Sequence, residues 1–390
     1  MRRLVWLVLV GLSAGACASS SSPAPVVATY SLGHFPAVPT RSFSQSTAGA
    51  LQAVLDAAVK DGLPGITATV LVANGKAWSG AAGTADGVHP VQVRSHFAIA
   101  SVTKTVIAAE VMRLSEQGSL SLSDPVAKHL PSDFHFDTTG ITIQNLLHME
   151  SGIPDPAPNN AALSLFYDQP ADPLRAWTPE EVLASVPAYR STPGDHYAYE
   201  DANYMLLGLV IQQTTGMSVA AALRSGVLAD PRLSSMVYQP EERPEGPLAL
   251  PFAVDTGSYS GGYLPSKAEA SEGNGSGCMA SDSGTLALWG YLLFGGQLVS
   301  EQSLLAMTDF DDGFYGLGVF NQTKTGAWRG PGQSIGNGGW DPAGYSSALA
   351  VLPSRGIVIS VMTNEGGDPK ELVFPVAVKL ASSLQGRGGG

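Results

Sequence analysis

The chain has 390 residues, of which 44% are hydrophobic and 14% charged, enough to bury a large core. Its net charge of −12, with no cluster of lysines or arginines, argues against nucleic acid as a partner. Its two cysteines, Cys17 and Cys278, cannot build a disulfide framework, and its seven histidines lack His-Glu-x-x-His or comparable spacing, so neither a metal nor another cofactor is expected.

In chain order, Met1-Arg2-Arg3 is a short basic start and residues 4–12 an apolar run too short to span a bilayer. Ala14-Gly15-Ala16 then places small residues before Cys17. Residues 1–17 read as a lipoprotein export signal. Cleavage before Cys17 and acylation of its sulfur would tether an exported protein to a membrane of the cell envelope. The alternative is an ordinary cleaved signal and a secreted product. Residues 18–45 are rich in Ser, Ala and Pro and read as a spacer that cannot fold alone.

The remainder, 46–385, reads as one domain. Residues 48–59 have helical periodicity, and apolar runs at 65–72 and 76–81 flank Asn74-Gly75, a strong hairpin signal. The middle is mostly helical, with 202–214 and 283–294 the clearest segments. Near the end, strands at 346–352 and 356–362 flank Pro353-Ser354-Arg355, and a helix is predicted over 369–384. The fold class is therefore α+β, with an antiparallel sheet formed by the N- and C-terminal segments, flanking helices and a large helical lobe. Residues 154–173 and 243–273 read as loops without a template.

Chemistry enters at Ser101-Val102-Thr103-Lys104, just ahead of the apolar-periodic stretch 106–114. At the start of a helix, Ser101 and Lys104 share a face, so the hydroxyl lies beside an amine able to take its proton. Such spacing also arises by chance in a chain of this composition, so its company matters.

That company begins with Phe97-Ala98-Ile99-Ala100 before Ser101 and Gly118-Ser119-Leu120 after the helix. It continues with Ser151-Gly152-Ile153, Pro193-Gly194, Tyr197, Tyr199, Asn203-Tyr204 and Leu206-Leu207-Gly208. Tyr315-Gly316-Leu317-Gly318, Asn337-Gly338-Gly339 and Gly344-Tyr345-Ser346-Ser347 close the series. In this order the motifs resemble the β-lactamase-related serine hydrolases, which include class C β-lactamases, D,D-peptidases and carboxylesterases. The resemblance implies the same α+β fold, and it implies that Ser101 is acylated, Lys104 takes its proton and Tyr199 relays protons to the leaving group and from water. It also implies an oxyanion hole from the backbone N–H groups of Ser101 and Trp340, with Gly338 and Gly339 letting that backbone approach the substrate.

Two departures from the family pattern bear on substrate. Tyr199-Glu200-Asp201 replaces Tyr-x-Asn, so Asp201 puts a carboxylate where an amide is usual and favours Lys104 as an ammonium. Asn337 stands where Lys or His commonly opens the third box. Both disfavour an anionic ligand, so a small uncharged ester or amide is expected ahead of a D-alanyl-D-alanine peptide, and a β-lactam last. A non-catalytic lipoprotein binding peptidoglycan or a protein is the reading of another class. Lys324-Thr325-Gly326 spells a β-lactamase third box but lacks the strand pair that follows Asn337, and Gly332-Gln333-Ser334-Ile335-Gly336 matches a nucleophile elbow without its strand and helix.

Overall fold

The computed structural model describes residues 35–134, 136–156, 173–188, 190–252, 261–310 and 313–385. The export signal with Cys17, most of the spacer and most of the 154–173 loop lie outside the described residues. Ten strands are described: β1 (Arg41–Ser42), β2 (Gly65–Val72), β3 (Lys76–Gly83), β4 (Phe97–Ala98), β5 (Val237–Tyr238), β6 (Met279–Ser281), β7 (Phe320–Asn321), β8 (Ile335–Asp341), β9 (Tyr345–Leu352) and β10 (Ile357–Thr363). The main sheet runs β1-β3-β2-β10-β9-β8-β7, and a small one runs β4-β6-β5.

First and last segments close the main sheet as expected. β2 and β10 pair antiparallel from Val72↔Ile357 to Ile66↔Thr363. Both predicted hairpins form: β2 pairs with β3 around Gly75 at φ 90°, and β9 pairs with β10 around Gly356 at φ 58°. One pairing departs from the antiparallel expectation. β1 runs parallel to β3 because the Thr40 and Arg41 N–H groups both donate to the Gly75 carbonyl, folding the incoming chain along the hairpin end. Residues 35–45, read from composition as spacer, are thus packed onto the domain; Phe35 is buried against Tyr291 at 4.9 Å between ring centres.

The helix Gln45–Lys60 starts at Ser44, whose hydroxyl accepts from the Thr47 N–H, and covers one face of the sheet together with Phe374–Ser383. Leu51, Leu55, Ile66, Val70, Ile359, Val361 and Leu380 meet there, each fully buried and each stabilising by about 1.5–3 kcal/mol. The helix Ser283–Phe294 covers the other face, and Gly290 permits its approach, since a Cβ there would lie 2.7 Å from Leu349 Cδ1. The predicted helix over 369–384 is in fact two, Pro369–Leu372 and Phe374–Ser383. Pro375 lacks the N–H a continuous helix needs and its ring crowds the preceding turn, so the chain breaks at Val373, φ −101°.

In the helical lobe, Thr103–Glu116 packs against Ala202–Thr215 and Lys267–Gly277. The last of these begins inside the 243–273 stretch read as loop and runs beyond it. Its Gly- and Asn-rich end has poor helical propensity, and the helix is kinked there, with Asn274 at φ 35°. A Cβ on Gly275 would lie 2.4 Å from the Tyr204 carbonyl oxygen, so the two helices touch where side chains are absent.

Candidate active site

Ser101 sits in a single 3₁₀ turn, Ala100–Val102, that runs into the Thr103–Glu116 helix. Ala100 just before it has φ 45°, a left-handed conformation disfavoured for a residue with a Cβ. β4 and β6 anchor the turn, with Ile99 N–H donating to the Met279 carbonyl at 2.9 Å. β8 passes against its other side, where a Cβ on Gly339 would lie 2.1 Å from the Ile99 carbonyl oxygen. A larger residue at 339 would push the strand away from the serine. The strained turn is thus fixed from two sides.

Lys104 is fully buried and uses all three of its protons. Its Nζ donates to Ser101 Oγ at 2.9 Å, to Asp201 Oδ1 at 2.6 Å and to the Ser276 carbonyl at 2.9 Å. Burial pushes the lysine pKa down. The charge of Asp201 and the adjoining Tyr199 oxygen outweigh that and raise it above its ordinary value, so Lys104 is an ammonium. Tyr199 lies beside both, its ring centre 4.9 Å from Lys104 Nζ, stacked on Phe320 at 5.7 Å and edge-on to Tyr315 at 6.1 Å. Burial raises the Tyr199 pKa; Lys104 pulls it down, Asp201 pushes it up, and the net direction is upward.

These groups face a cavity of about 590 Å³ whose wall includes Ser101, Tyr199, Asp201, Gly338 and Trp340. Asn337 is placed differently: it is fully buried, its Nδ2 donates to the Gly318 carbonyl at 3.0 Å, and it is not part of that wall. Gly339 likewise stays behind the wall, against Ile99. The Trp340 side chain is 55% exposed while its backbone lies on β8 beside the serine turn.

The structure brings in acids that the motifs did not reveal. Glu269 and Glu272 on the Lys267–Gly277 helix, and Asp341 at the end of β8, also line the cavity. Burial and the neighbouring acids Asp201 and Asp341 push the Glu272 carboxyl up to about 8, and burial raises Glu269 and Asp341 as well. Behind Asp201, Asp155 accepts from the Ala202 N–H at 3.1 Å while its own N–H donates to Glu200, and burial with the charges of Asp201 and Glu200 raises its pKa. A sequence signal for the helix existed in Ser266-x-x-Glu269, an N-cap pair whose serine hydroxyl accepts from the Glu269 N–H.

Of the two decoys, Lys324-Thr325-Gly326 brings Thr325 alone to the cavity wall and the Ser334 motif brings none of its residues there. Lys324 is exposed, and neither it nor Arg329 is in the cavity wall. Ser334 is fully buried at the approach to β8, its hydroxyl donating to Gln322 Oε1 at 2.6 Å. Among the described residues no group of three or more His, Cys, Asp or Glu side chains is arranged to hold a metal ion.

A family model described as Beta-lactamase matches residues 51–379. The protein flp of Staphylococcus aureus (strain N315) is 33% identical over 125 residues, 31% of this chain and 24% of that protein. The putative penicillin-binding protein PbpX of Bacillus subtilis is 25% identical over 244 residues, 61% of this chain and 57% of that one. The matched stretches thus span about a quarter to somewhat over half of these relatives' lengths. Among solved structures, D-amino acid amidase from Ochrobactrum anthropi SV3 with L-phenylalanine amide superposes with a TM-score of 0.72 at 21% identity, covering 88% of this chain and 99% of that one. A D-stereospecific amidohydrolase from Streptomyces sp. has TM-score 0.67 at 24% identity, covering 87% and 99%. These likenesses are in fold.

Proposed function

The chain belongs to the β-lactamase family, and from that premise we propose that it is a serine hydrolase cleaving an ester or amide through an acyl enzyme on Ser101. The observation that carries this reading is the buried Lys104 Nζ held 2.9 Å from Ser101 Oγ and 2.6 Å from Asp201, at the wall of a cavity. Because Lys104 donates to Ser101, the serine proton must leave in another direction. Tyr199 is the acceptor on that side. Its phenol, whose pKa burial raises, first gives its own proton to solvent; as phenolate it then takes the serine proton while Ser101 Oγ bonds to the substrate carbonyl carbon, and as phenol it protonates the leaving alkoxide or amine. Water attacking the acyl enzyme retraces the path, giving up its proton to Tyr199. The Lys104 ammonium balances the charge on Tyr199 throughout. The backbone N–H groups of Ser101 and Trp340 are proposed to hold the oxyanion, each contributing on the order of 3 kcal/mol to the transition state.

Substrates without a carboxylate are preferred in this reading, because the cavity wall carries Asp201, Glu269, Glu272, Asp341 and Asp368 against the single cation Lys370 among the described residues and so offers an anion little counter-charge. The fold shared with two amide-cleaving enzymes supports an amide or ester. Similarity to PbpX supports a D-alanyl-D-alanine peptidase as the second reading. We further propose that the exported protein is held at the cell envelope through lipid on Cys17. The test is turnover of a short-chain p-nitrophenyl ester by the purified protein and by Ser101→Ala. A fall of about 10³-fold or more in the variant is expected. Equal rates in the two proteins would remove Ser101 as nucleophile, and absence of turnover in both would favour a narrow peptidase or a binding protein.

A further inference from the structure

Asp201 keeps Lys104 charged, yet its own surroundings in the chain do not hold it to that task. Its side chain is 42% exposed, whereas that of Lys104 is wholly buried. It stands at the N-cap of the Ala202–Thr215 helix, where an aspartate ordinarily turns an oxygen onto the N–H groups of the first turn, and here it makes no such bond. Solvent competes with Lys104 for this carboxylate, and so would any helix N–H left without an acceptor.

A residue from a loop far back in the chain removes that competition. The N–H groups of Asn203, Tyr204 and Met205 donate to the carbonyls of Glu200 and Asp201, which leaves the Ala202 N–H without a main-chain acceptor among the described residues. Asp155 Oδ1 accepts from it at 3.1 Å, and the Asp155 N–H donates to Glu200 Oε2 at 2.9 Å. These two bonds land on the residues either side of Asp201, so position 201 is bracketed by one partner. The partner is itself anchored. The Met149 carbonyl accepts from the Ala198 N–H at 2.8 Å, that of Glu150 from Gly194 at 2.8 Å and that of Gly152 from Ser191 at 3.1 Å. At Gly152, φ 74°, a Cβ would lie 2.2 Å from the Ser191 carbonyl oxygen, so only glycine allows the two segments to meet this closely. Asp155 carries the contact past Tyr199 to the start of the helix.

We propose that Asp155 is a positioning residue, whose bonds to Glu200 and Ala202 hold the Asp201 carboxylate on Lys104 and so maintain the charge beside Ser101 and Tyr199. The consequence for catalysis rests on the hydrolase reading above; the holding of Asp201 does not. Charge agrees with the role. Burial and the charges of Asp201 and Glu200 push the Asp155 carboxyl up to about 8 against the opposing pull of Lys104, so below that pH it is an uncharged acceptor and leaves the lysine to Asp201. Glu272, on the neighbouring helix, feels Asp201, Asp155 and Lys104 together and is raised as well.

The test reads both geometry and pH dependence in the full chain. Asp155→Ala removes the acceptor, Asp155→Asn keeps it without a charge, and Asp155→Leu keeps the volume without the acceptor and replaces the alanine variant if that one does not fold. A crystal structure of Asp155→Ala or Asp155→Leu should show the Asp201 carboxylate turned away from Lys104; an ion pair kept at its original distance overturns the proposal, whether or not the protein has any activity. In the pH–rate profile for the p-nitrophenyl ester, loss of the acceptor should move the rising limb to lower pH by about half a unit or more, in the direction expected of Asp201→Asn. Asp155→Asn should restore the limb, and Asp155→Ala added to Asp201→Asn should move it no further than Asp201→Asn alone. An unmoved limb with only kcat or stability reduced would make Asp155 a plain helix cap. A shift in Asp155→Asn equal to that in Asp155→Ala would assign the effect to charge, and additive shifts in the double variant would mean that Asp155 does not act through Asp201; each of these overturns the proposal. The hydrolase reading fails on a different result, ester turnover that is unaffected by Ser101→Ala, and the crystal structures then decide the role of Asp155 alone.

Discussion

Lys104 keeps its proton in this site because Asp201 lies 2.6 Å away, and this single carboxylate changes how the neighbouring hydroxyls work. With an amide at 201, the ammonium would lose its counter-charge and the Tyr199 phenol would lose a source of repulsion. Both pKa values should then fall, because Asp201 raises each of them. The pH–rate profile of Asp201→Asn should therefore have its rising limb shifted to lower pH by about one unit or more. A limb that stays in place would mean that neither Lys104 nor Tyr199 is the base. The Ser101–Lys104 pair was legible in the sequence because the two residues lie three positions apart at one helix start. Asp201 was legible as a departure from a motif. Glu272 was not, since nothing local in Ser271-Glu272-Gly273 distinguishes a cavity-lining acid from a solvated one.

At the level of elements, the site depends on close approaches that only glycine permits. Gly275 lets the Lys267–Gly277 helix touch the Tyr204 carbonyl, and the next residue, Ser276, supplies the carbonyl that accepts from Lys104. Gly275→Ala should lower stability by about 1–3 kcal/mol, the usual cost of overpacking, read from urea unfolding. It should also slow Ser101-dependent turnover, because relief of the clash moves Ser276 away from Lys104. Normal activity in a destabilised variant would show that the Ser276 contact does not position the lysine. Gly339 makes the corresponding demand on β8. The hairpins and the long apolar helices were readable because their signals are local. The break at Pro375 was available in the sequence and is a local effect too, whereas the 267–277 helix exists through packing against 202–215.

For the molecule as a whole, the buried acids set the pH dependence of stability. Glu272 is raised from 4.5 to about 8, so the folded chain binds that proton more tightly than the unfolded one. Its contribution is full below about pH 4.5 and is lost as pH rises through about 8. Asp155, Glu269 and Asp341 are raised and have the same sign. The opposite sign belongs to Asp86, which the backbone N–H and ring of His89 hold down at about 2, and to Asp124, held below the usual carboxylate range by Lys128 and His129. Their contributions are lost only as pH falls below the ordinary carboxylate range. The melting temperature should therefore be highest near pH 5 and decline towards pH 8, and Glu272→Gln should raise it at pH 8 more than at pH 5. An equal rise at both values would mean that Glu272 does not titrate in this window.

The sequence by itself determined the α+β class, the closing of the sheet by first and last segments, the Ser101–Lys104 pair and the family. Those features are written in short-range periodicity, in turn residues and in motifs whose spacing survives without a fold. Only the tertiary structure decided that Lys104 is a buried ammonium and that Asn337 stands behind the cavity wall. It alone brought Glu269, Glu272 and Asp341, distant in the chain from Ser101, to the cavity that Ser101 faces. Charge state and pocket lining depend on burial and on neighbours far apart in the chain, and these exist only after the lobes have packed.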